Sequence, residues 1–351
     1  MEKTNAEARP LSFTQPNEGV DELIERLMDE AGGVQHRPLV REMILAALKA
    51  GQESRSILDL KLMNTTLKEM RFTAKVFAPY RHVRKVTVFG SARTPAHEPI
   101  YAMARDFGRC LAEAGFMVIT GGGPGIMQAA NEGAGPEHSF GVNIRLPFEQ
   151  TTNPVVNQTP RSITYKYFFN RKVAFLKEAA AVALFPGGFG TLDETMETLT
   201  LLQTGKHNPI PLVLLEEPDG TYWVRWMRFL EDELLSRGLI SPNDFYLFRR
   251  IPSVDGAVDE IRRFYRRYHS LRYVKESLIL RLSEPLPEGV EGRLNREFQD
   301  ILRPGGTIRI GPPHEDEKDE PDCARLTHLY MDFNRRDFGR LRQLIDAVNN
   351  A

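Results

Sequence analysis

The spacing of apolar residues changes its period twice along the chain, near Lys85 and again near Arg272. Before the first change, apolar positions recur every three to four residues, which predicts helices over 20–31, 38–49 and 55–77. In the second of these, Val40, Met43, Ile44, Ala47 and Leu48 fall on one face. Residues 1–17 are polar and are expected to fray. From Lys85 onward, short apolar runs alternate with longer amphipathic stretches. The runs at 86–89, 116–120, 140–144, 181–185 and 211–215 predict strands; stretches at 100–114, 125–133, 171–178, 191–204 and 222–237 predict helices. Such alternation implies an α/β fold: a Rossmann-like parallel sheet with right-handed crossovers and helices on both faces. The last part reads differently. After a helix at 258–267 come strands at 277–282, 306–310 and 326–333, helices at 293–302 and 338–348, and an acidic loop at 315–322. The expected organisation is therefore a helical N-terminal extension (1–80), a nucleotide-binding α/β domain (81–271) and a small C-terminal α+β module (272–351).

Two of the predicted strands run into glycine-rich turns that restart as helices. The first turn is Gly121-Gly122-Gly123-Pro124-Gly125, and the second is Pro186-Gly187-Gly188-Phe189-Gly190, leading into Thr191 and Leu192. Unpaired N–H groups and the positive end of the helix dipole meet at such a turn and make an anion site. Two of them at the carboxyl edge of one sheet would face a common crevice, and that pairing suggests a nucleotide-sized ligand. A tight strand–helix turn needing only positive φ is the plainer reading of either loop alone. Neither loop is a Walker A sequence, since no glycine precedes Lys-Ser or Lys-Thr. A NAD site would need an acidic residue ending the next strand, where this chain has Asn143-Ile144-Arg145. An NAD(P) oxidoreductase using Arg145 for a 2′-phosphate is accordingly a minor alternative.

Bulk composition narrows the classes further. The chain has 351 residues, 41% of them hydrophobic and 26% charged, with a net charge of −1. That balance offers no field for nucleic acid or an acidic membrane, and no apolar run approaches the ~20 residues of a membrane span. Two cysteines, Cys110 and Cys323, make no disulfide framework, which points to the cytoplasm. The eight histidines are scattered without metal-ligand spacing, so neither a metal nor a cofactor is expected.

Several side chains near the glycine turns have two readings each. Thr191-Leu192-Asp193-Glu194 fits a capping box, with Glu194 reaching back to the Thr191 backbone. Alternatively, a carboxylate beside an anion pocket is there to serve sugar hydroxyls. Arg171 and Lys172 follow Asn170, a candidate helix cap, and oppose the dipole of that helix unless an anion or an acid such as Glu194 faces them; a solvated helix start is the other reading. Ser91 and Arg93, after the first strand, could donate to the same ligand, and Glu149 could reach the crevice; each could equally belong to a surface loop. Tyr167, Phe168 and Phe169 read as core rings rather than base-stacking ones, and Arg262, Arg263, Arg266 and Arg267 as a solvated face.

Taken together, GGGPGIM at 121–127, Arg171-Lys172 and PGGFGTLDE at 186–194 resemble the LOG ("lonely guy") family, once widely labelled lysine decarboxylases. The last stretch fits P-G-G-x-G-T-x-x-E, with Asp193 where the family often has Glu, and the likeness covers roughly 86–215. The resemblance implies a Rossmann-like, homodimer-forming enzyme that hydrolyses the N-glycosidic bond of AMP or cytokinin riboside monophosphates to free base and ribose 5-phosphate. It places Arg171 and Glu194 at catalytic positions, and Glu149, Lys172, Gly188, Phe189, Gly190, Thr191, Leu192 and Thr200 at ligand contacts. A decarboxylase would need a pyridoxal-bearing lysine, which nothing here marks. A non-catalytic nucleotide carrier or sensor of the same fold is the main alternative.

Overall fold

The computed structural model describes residues 10–147, 152–317 and 320–351. Chain contacts divide the protein into two units, Met1–Arg71 and Phe72–Ala351. In the first, helices α1 (Gly19–Ala31) and α2 (Arg37–Glu53) bury Ile24, Met28 and Leu45 against each other. Arg41 pairs with Asp21 across them at 2.8 Å. The apolar face of α2 is rotated from the expected one: Val40 and Ile44 pack inward beside Leu45, while Met43 and Leu48 stay exposed. α3 (Ile57–Phe77) crosses the boundary between the units.

In the second unit, seven strands pair in parallel in the order β4-β3-β2-β1-β5-β6-β7. They are β1 (Lys85–Phe89), β2 (Met117–Thr120), β3 (Ser139–Ile144), β4 (Ser162–Tyr165), β5 (Ala181–Leu184), β6 (Leu212–Leu214) and β7 (Arg249–Arg250). A parallel sheet covered on both faces needs apolar strands, and every residue of β1, β2, β5 and β6 is buried. β4 and β7 lie at the two edges and carry too few apolar residues to show as runs. Helices α4 (Pro99–Glu113), α5 (Ile126–Ala134), α6 (Phe168–Lys177), α7 (Phe189–Gln203), α8 (Tyr222–Phe229) and α9 (Val254–Phe264) connect and cover the strands. The chain steps outward from β1 to β4 and then returns to place β5 beside β1, with Phe89 level with Leu184. That reversal is the topological switch point, where ligands of open α/β sheets bind.

The tail forms a four-stranded antiparallel sheet, β10-β11-β9-β8, from β8 (Tyr268–Val274), β9 (Ser277–Leu282), β10 (Ile308–Gly311) and β11 (Thr327–Met331), with α10 (Val290–Glu297) and α11 (Phe338–Asn349). Its core includes Phe264 from α9. α11 is fastened by buried polar contacts: Arg342 to Glu260 at 2.5 Å, and the Asn349 side-chain oxygen accepting from Arg267 and Tyr268 backbone N–H, both at 2.9 Å. Arg262, Arg263 and Arg266 are solvated as expected. Arg267 instead turns inward to donate to Pro285 O and Glu284. Among the described residues, no helix is long and apolar enough to cross a membrane, and no three His, Cys, Asp or Glu side chains gather as for a metal. Both thiols are free.

Candidate active site

At the switch point lies a crevice of about 800 Å³ whose walls come from the loops after β1, β2, β3 and β5 and from the starts of α5, α6, α7 and α8. The loop after β1 is clamped between the two glycine turns. Ser91 N–H donates to Pro186 O at 3.1 Å, and Ser91 O accepts from Ile126 N–H at 3.0 Å. Ser91 Oγ also accepts from Arg93 N–H at 3.0 Å, so Ser91 and Arg93 stand together on one wall. The first glycine turn reaches the crevice through Gly121. Gly122, Gly123 and Gly125 shape the turn from behind. Gly122 has φ +69°, and a Cβ there would collide with Asn143 Oδ1. Asn153 holds the turn by accepting nothing from it and donating: its backbone N–H to Gly122 O at 2.8 Å and its side chain to Gly123 O at 3.1 Å.

The second turn supplies the opposite wall, Gly187, Gly188, Phe189, Gly190, Thr191 and Leu192. α7 begins at Phe189 with Gly188 at the cap position, not at Thr191. No side chain caps this end, so its first-turn N–H groups open onto the crevice. There is therefore no capping box: Glu194 sits beyond the first turn, only 8% exposed, with Oε2 buried and unpartnered among the described residues. Burial pushes its carboxyl up from the ordinary 4.5 to about 7, with Lys172 the main opposing charge. A carboxyl poised there can accept or release a proton at neutral pH.

α6 is similarly displaced from the expected start. It begins at Phe168, so Asn170 lies inside the helix rather than capping it. Arg171 lines the crevice, its guanidinium 5.0 Å from the Phe175 ring centroid, and burial pulls its pKa down to about 10 while Glu194 opposes that. Arg171 makes no ion pair among the described residues. Lys172, one position on, points elsewhere. It binds Asp193 at 2.8 Å and Glu197 at 2.7 Å, so its acidic partners are not Glu194. Burial works against the Lys172 charge, but those two carboxylates hold its ammonium above the usual range. Lys172 therefore supports the α6–α7 pair from the side. Thr200 is not on the crevice either; its hydroxyl donates to Met196 O at 2.8 Å beside a separate small cavity. Glu149 lies outside the described residues.

Other residues of the site escaped the sequence reading. Phe168 and Phe169 are about half exposed, not core, and Phe168 borders the crevice. Tyr222, at the start of α8, also borders it and donates to Gly187 O at 2.8 Å. Its position after a strand at the carboxyl edge was the available signal.

The fold and crevice define a Rossmann-like α/β domain in which two glycine turns meet at one crevice that Arg171 and Glu194 also line. Residues 124–261 match the family model described as "Possible lysine decarboxylase". Similar proteins include a probable cytokinin riboside 5′-monophosphate phosphoribohydrolase of Oryza sativa subsp. japonica, 28% identical over 165 residues (46% of this chain, 75% of the relative). Another is a cytokinin riboside 5′-monophosphate phosphoribohydrolase of Arabidopsis thaliana, 27% identical over 187 residues (52% of this chain, 83% of the relative). Among solved structures, a molybdenum cofactor carrier protein of Chlamydomonas reinhardtii is 21% identical, covering 51% of this chain and 96% of its own, with a TM-score of 0.35. Through its α/β domain the chain is similar to the LOG family.

Proposed function

We propose that this protein hydrolyses the N-glycosidic bond of a purine nucleoside 5′-monophosphate, AMP or a cytokinin riboside monophosphate. The observation that carries the reading is Glu194: a carboxyl buried in the crevice, with an unpartnered oxygen, beside a helix start whose N–H groups suit a phosphate. The names of the relatives support the same reaction class. In this reading the 5′-phosphate sits against the N–H groups that open α7, with Ser91 and Arg93 closing over it. Remote binding of that kind fixes the reacting carbon.

Water adds to C1′ as the C1′–N bond breaks, its electron pair leaving with the base nitrogen, which ends protonated. The water's proton passes to Glu194 and from there to the base nitrogen, which restores the Glu194 carboxylate and leaves free base and ribose 5-phosphate. The sugar passes through an oxocarbenium-like state, as in O-glycoside cleavage, which the Glu194 carboxylate stabilises. Arg171 keeps positive charge near that carboxylate and the departing base. The Phe168 and Tyr222 rings offer flat apolar surface for a purine. Half-exposed Phe169 and Val173 on α6, with Phe189 at 93% exposure on α7, suit the homodimer that the reading includes.

Incubation with AMP, followed by chromatography for adenine and ribose 5-phosphate, tests the proposal. Glu194→Gln should lower adenine release by about 10²-fold or more. Release at the wild-type rate by that variant refutes the role of Glu194. Tight AMP binding with no release by the wild-type protein replaces the hydrolase with the non-catalytic carrier.

A further inference from the structure

At the opposite edge of the parallel sheet lies a second cavity of about 420 Å³. It is bounded by the residues entering β1, β5 and β6 and by the start of β8, so the α/β domain and the tail module both contribute. Arg84, Lys177 and Lys206 line it together with His207 and His269, and no carboxylate does. Three permanent charges of one sign therefore share one cavity in a chain whose net charge is −1.

Ordinary structural roles account for only part of this set. Lys177 suits the carboxyl end of α6 and pairs with Glu178 at 2.5 Å. Arg84 lies 4.1 Å from the Tyr265 ring centroid and, like Lys206, has no carboxylate partner among the described residues. Two like charges left uncompensated in a concave site repel each other, and the low-dielectric walls concentrate their field. The field is felt locally: burial first, and then Arg84 and Arg281, hold the His269 imidazolium below its usual range. The cavity also touches the far ends of both helices that carry the crevice residues. α6 carries Arg171 near its start and ends at Lys177, and the chain beyond α7, which carries Glu194, reaches Lys206 and His207. His207 Nε2 meets Leu176 O at 3.0 Å and ties those two ends together.

We propose that this cavity is a second ligand site that binds a small phosphorylated anion, separate from the glycine-loop crevice. Arg84 offers a planar, multi-donor group held flat by the tyrosine ring, and Lys177 and Lys206 supply mobile ammonium groups at the rim. The inference does not depend on what the crevice catalyses, because its test reads binding alone.

The test is calorimetric titration of the full-length protein with pyrophosphate at low ionic strength, where exposed charges are least screened. Four proteins are compared: wild type, Lys206→Glu, Lys206→Arg and Arg93→Ala. Lys206 and Arg93 are both exposed, so these variants keep the fold. Lys206→Glu is expected to weaken one class of pyrophosphate sites by about tenfold or more, and Lys206→Arg to retain it. Arg93→Ala should leave that class intact, which separates it from binding at the crevice. Undiminished binding by Lys206→Glu, loss of all binding in Arg93→Ala, or no binding by the wild type overturns the proposal.

Discussion

Replacing Glu194 by Gln isolates the energy stored in the crevice. The carboxyl is buried, its folded pKa is raised from 4.5 to about 7, and burial is the chief cause. A group whose pKa rises on folding binds more protons in the native state than in the unfolded one between those two values, so stability falls as pH climbs through that window. At about 1.36 kcal/mol per pH unit, the full penalty is about 3 kcal/mol once pH exceeds 7. Gln has nearly the same shape and carries no charge. Glu194→Gln should therefore match the wild type near pH 4.5 and grow progressively more stable than it as pH rises, by up to about 3 kcal/mol at pH 8. In a thermal melt, that gap corresponds to roughly 5 °C at pH 8. The same variant should be catalytically crippled, so a gain in stability accompanies a loss of function, as expected where a site holds strain for its chemistry. Parallel melts of both proteins across pH 4.5–8 read the effect. A gap that does not change with pH, or a variant less stable at pH 8, would refute the claim that burial of this carboxyl is what tunes it.

Three further outcomes follow from the same structure. Arg171→Met should cut adenine release by about 10²-fold or more, and because Arg171 lowers the Glu194 pKa, the rising limb of kcat/KM against pH should move upward from about 7; an unmoved limb would show that Arg171 does not act on Glu194. Gly122→Ala forces a side chain into φ +69° and against Asn143 Oδ1, and should cost about 1–3 kcal/mol in urea denaturation together with weaker AMP binding. Arg342→Ala leaves Glu260 buried with, among the described residues, only Arg249 at 3.2 Å to answer its charge. This should destabilise the Phe72–Ala351 unit by about 3 kcal/mol, measured by the same denaturation, while Arg342→Lys recovers part of the loss.

The central strands were legible in the sequence because a strand buried on both faces is mostly apolar, as β1, β2, β5 and β6 are apart from Lys85, Thr87 and Thr120. The edge strands were not: β4 and the two-residue β7 have one neighbour each, and their polarity reads as loop. β8 was missed for a related reason, since its buried positions, Tyr268, Leu271 and Val274, are interleaved with polar residues and a bulge breaks its register. The ring cluster at 167–169 shows another limit. Apolarity alone does not distinguish a wall facing a cavity from a wall facing the core.

The order of residues by itself determined that two glycine turns follow two buried strands, that Glu194 lies about one helix turn past the second, and that Arg171 stands near the start of another helix. Only the tertiary structure decided which local pattern prevails. Thr191-Leu192-Asp193-Glu194 has the letters of a capping box, yet α7 starts at Phe189, with the Thr191 hydroxyl packed against Gly187 where no larger residue fits. Adjacent side chains on α6 were likewise parted by geometry. Residues one apart on a helix point about 100° from each other, so Arg171 faces the crevice while Lys172 meets Asp193 and Glu197 on the neighbouring helix. Which of the two cations would stay unpaired depends on how α6 and α7 lie against each other, and that relation is set by the order of strands in the sheet.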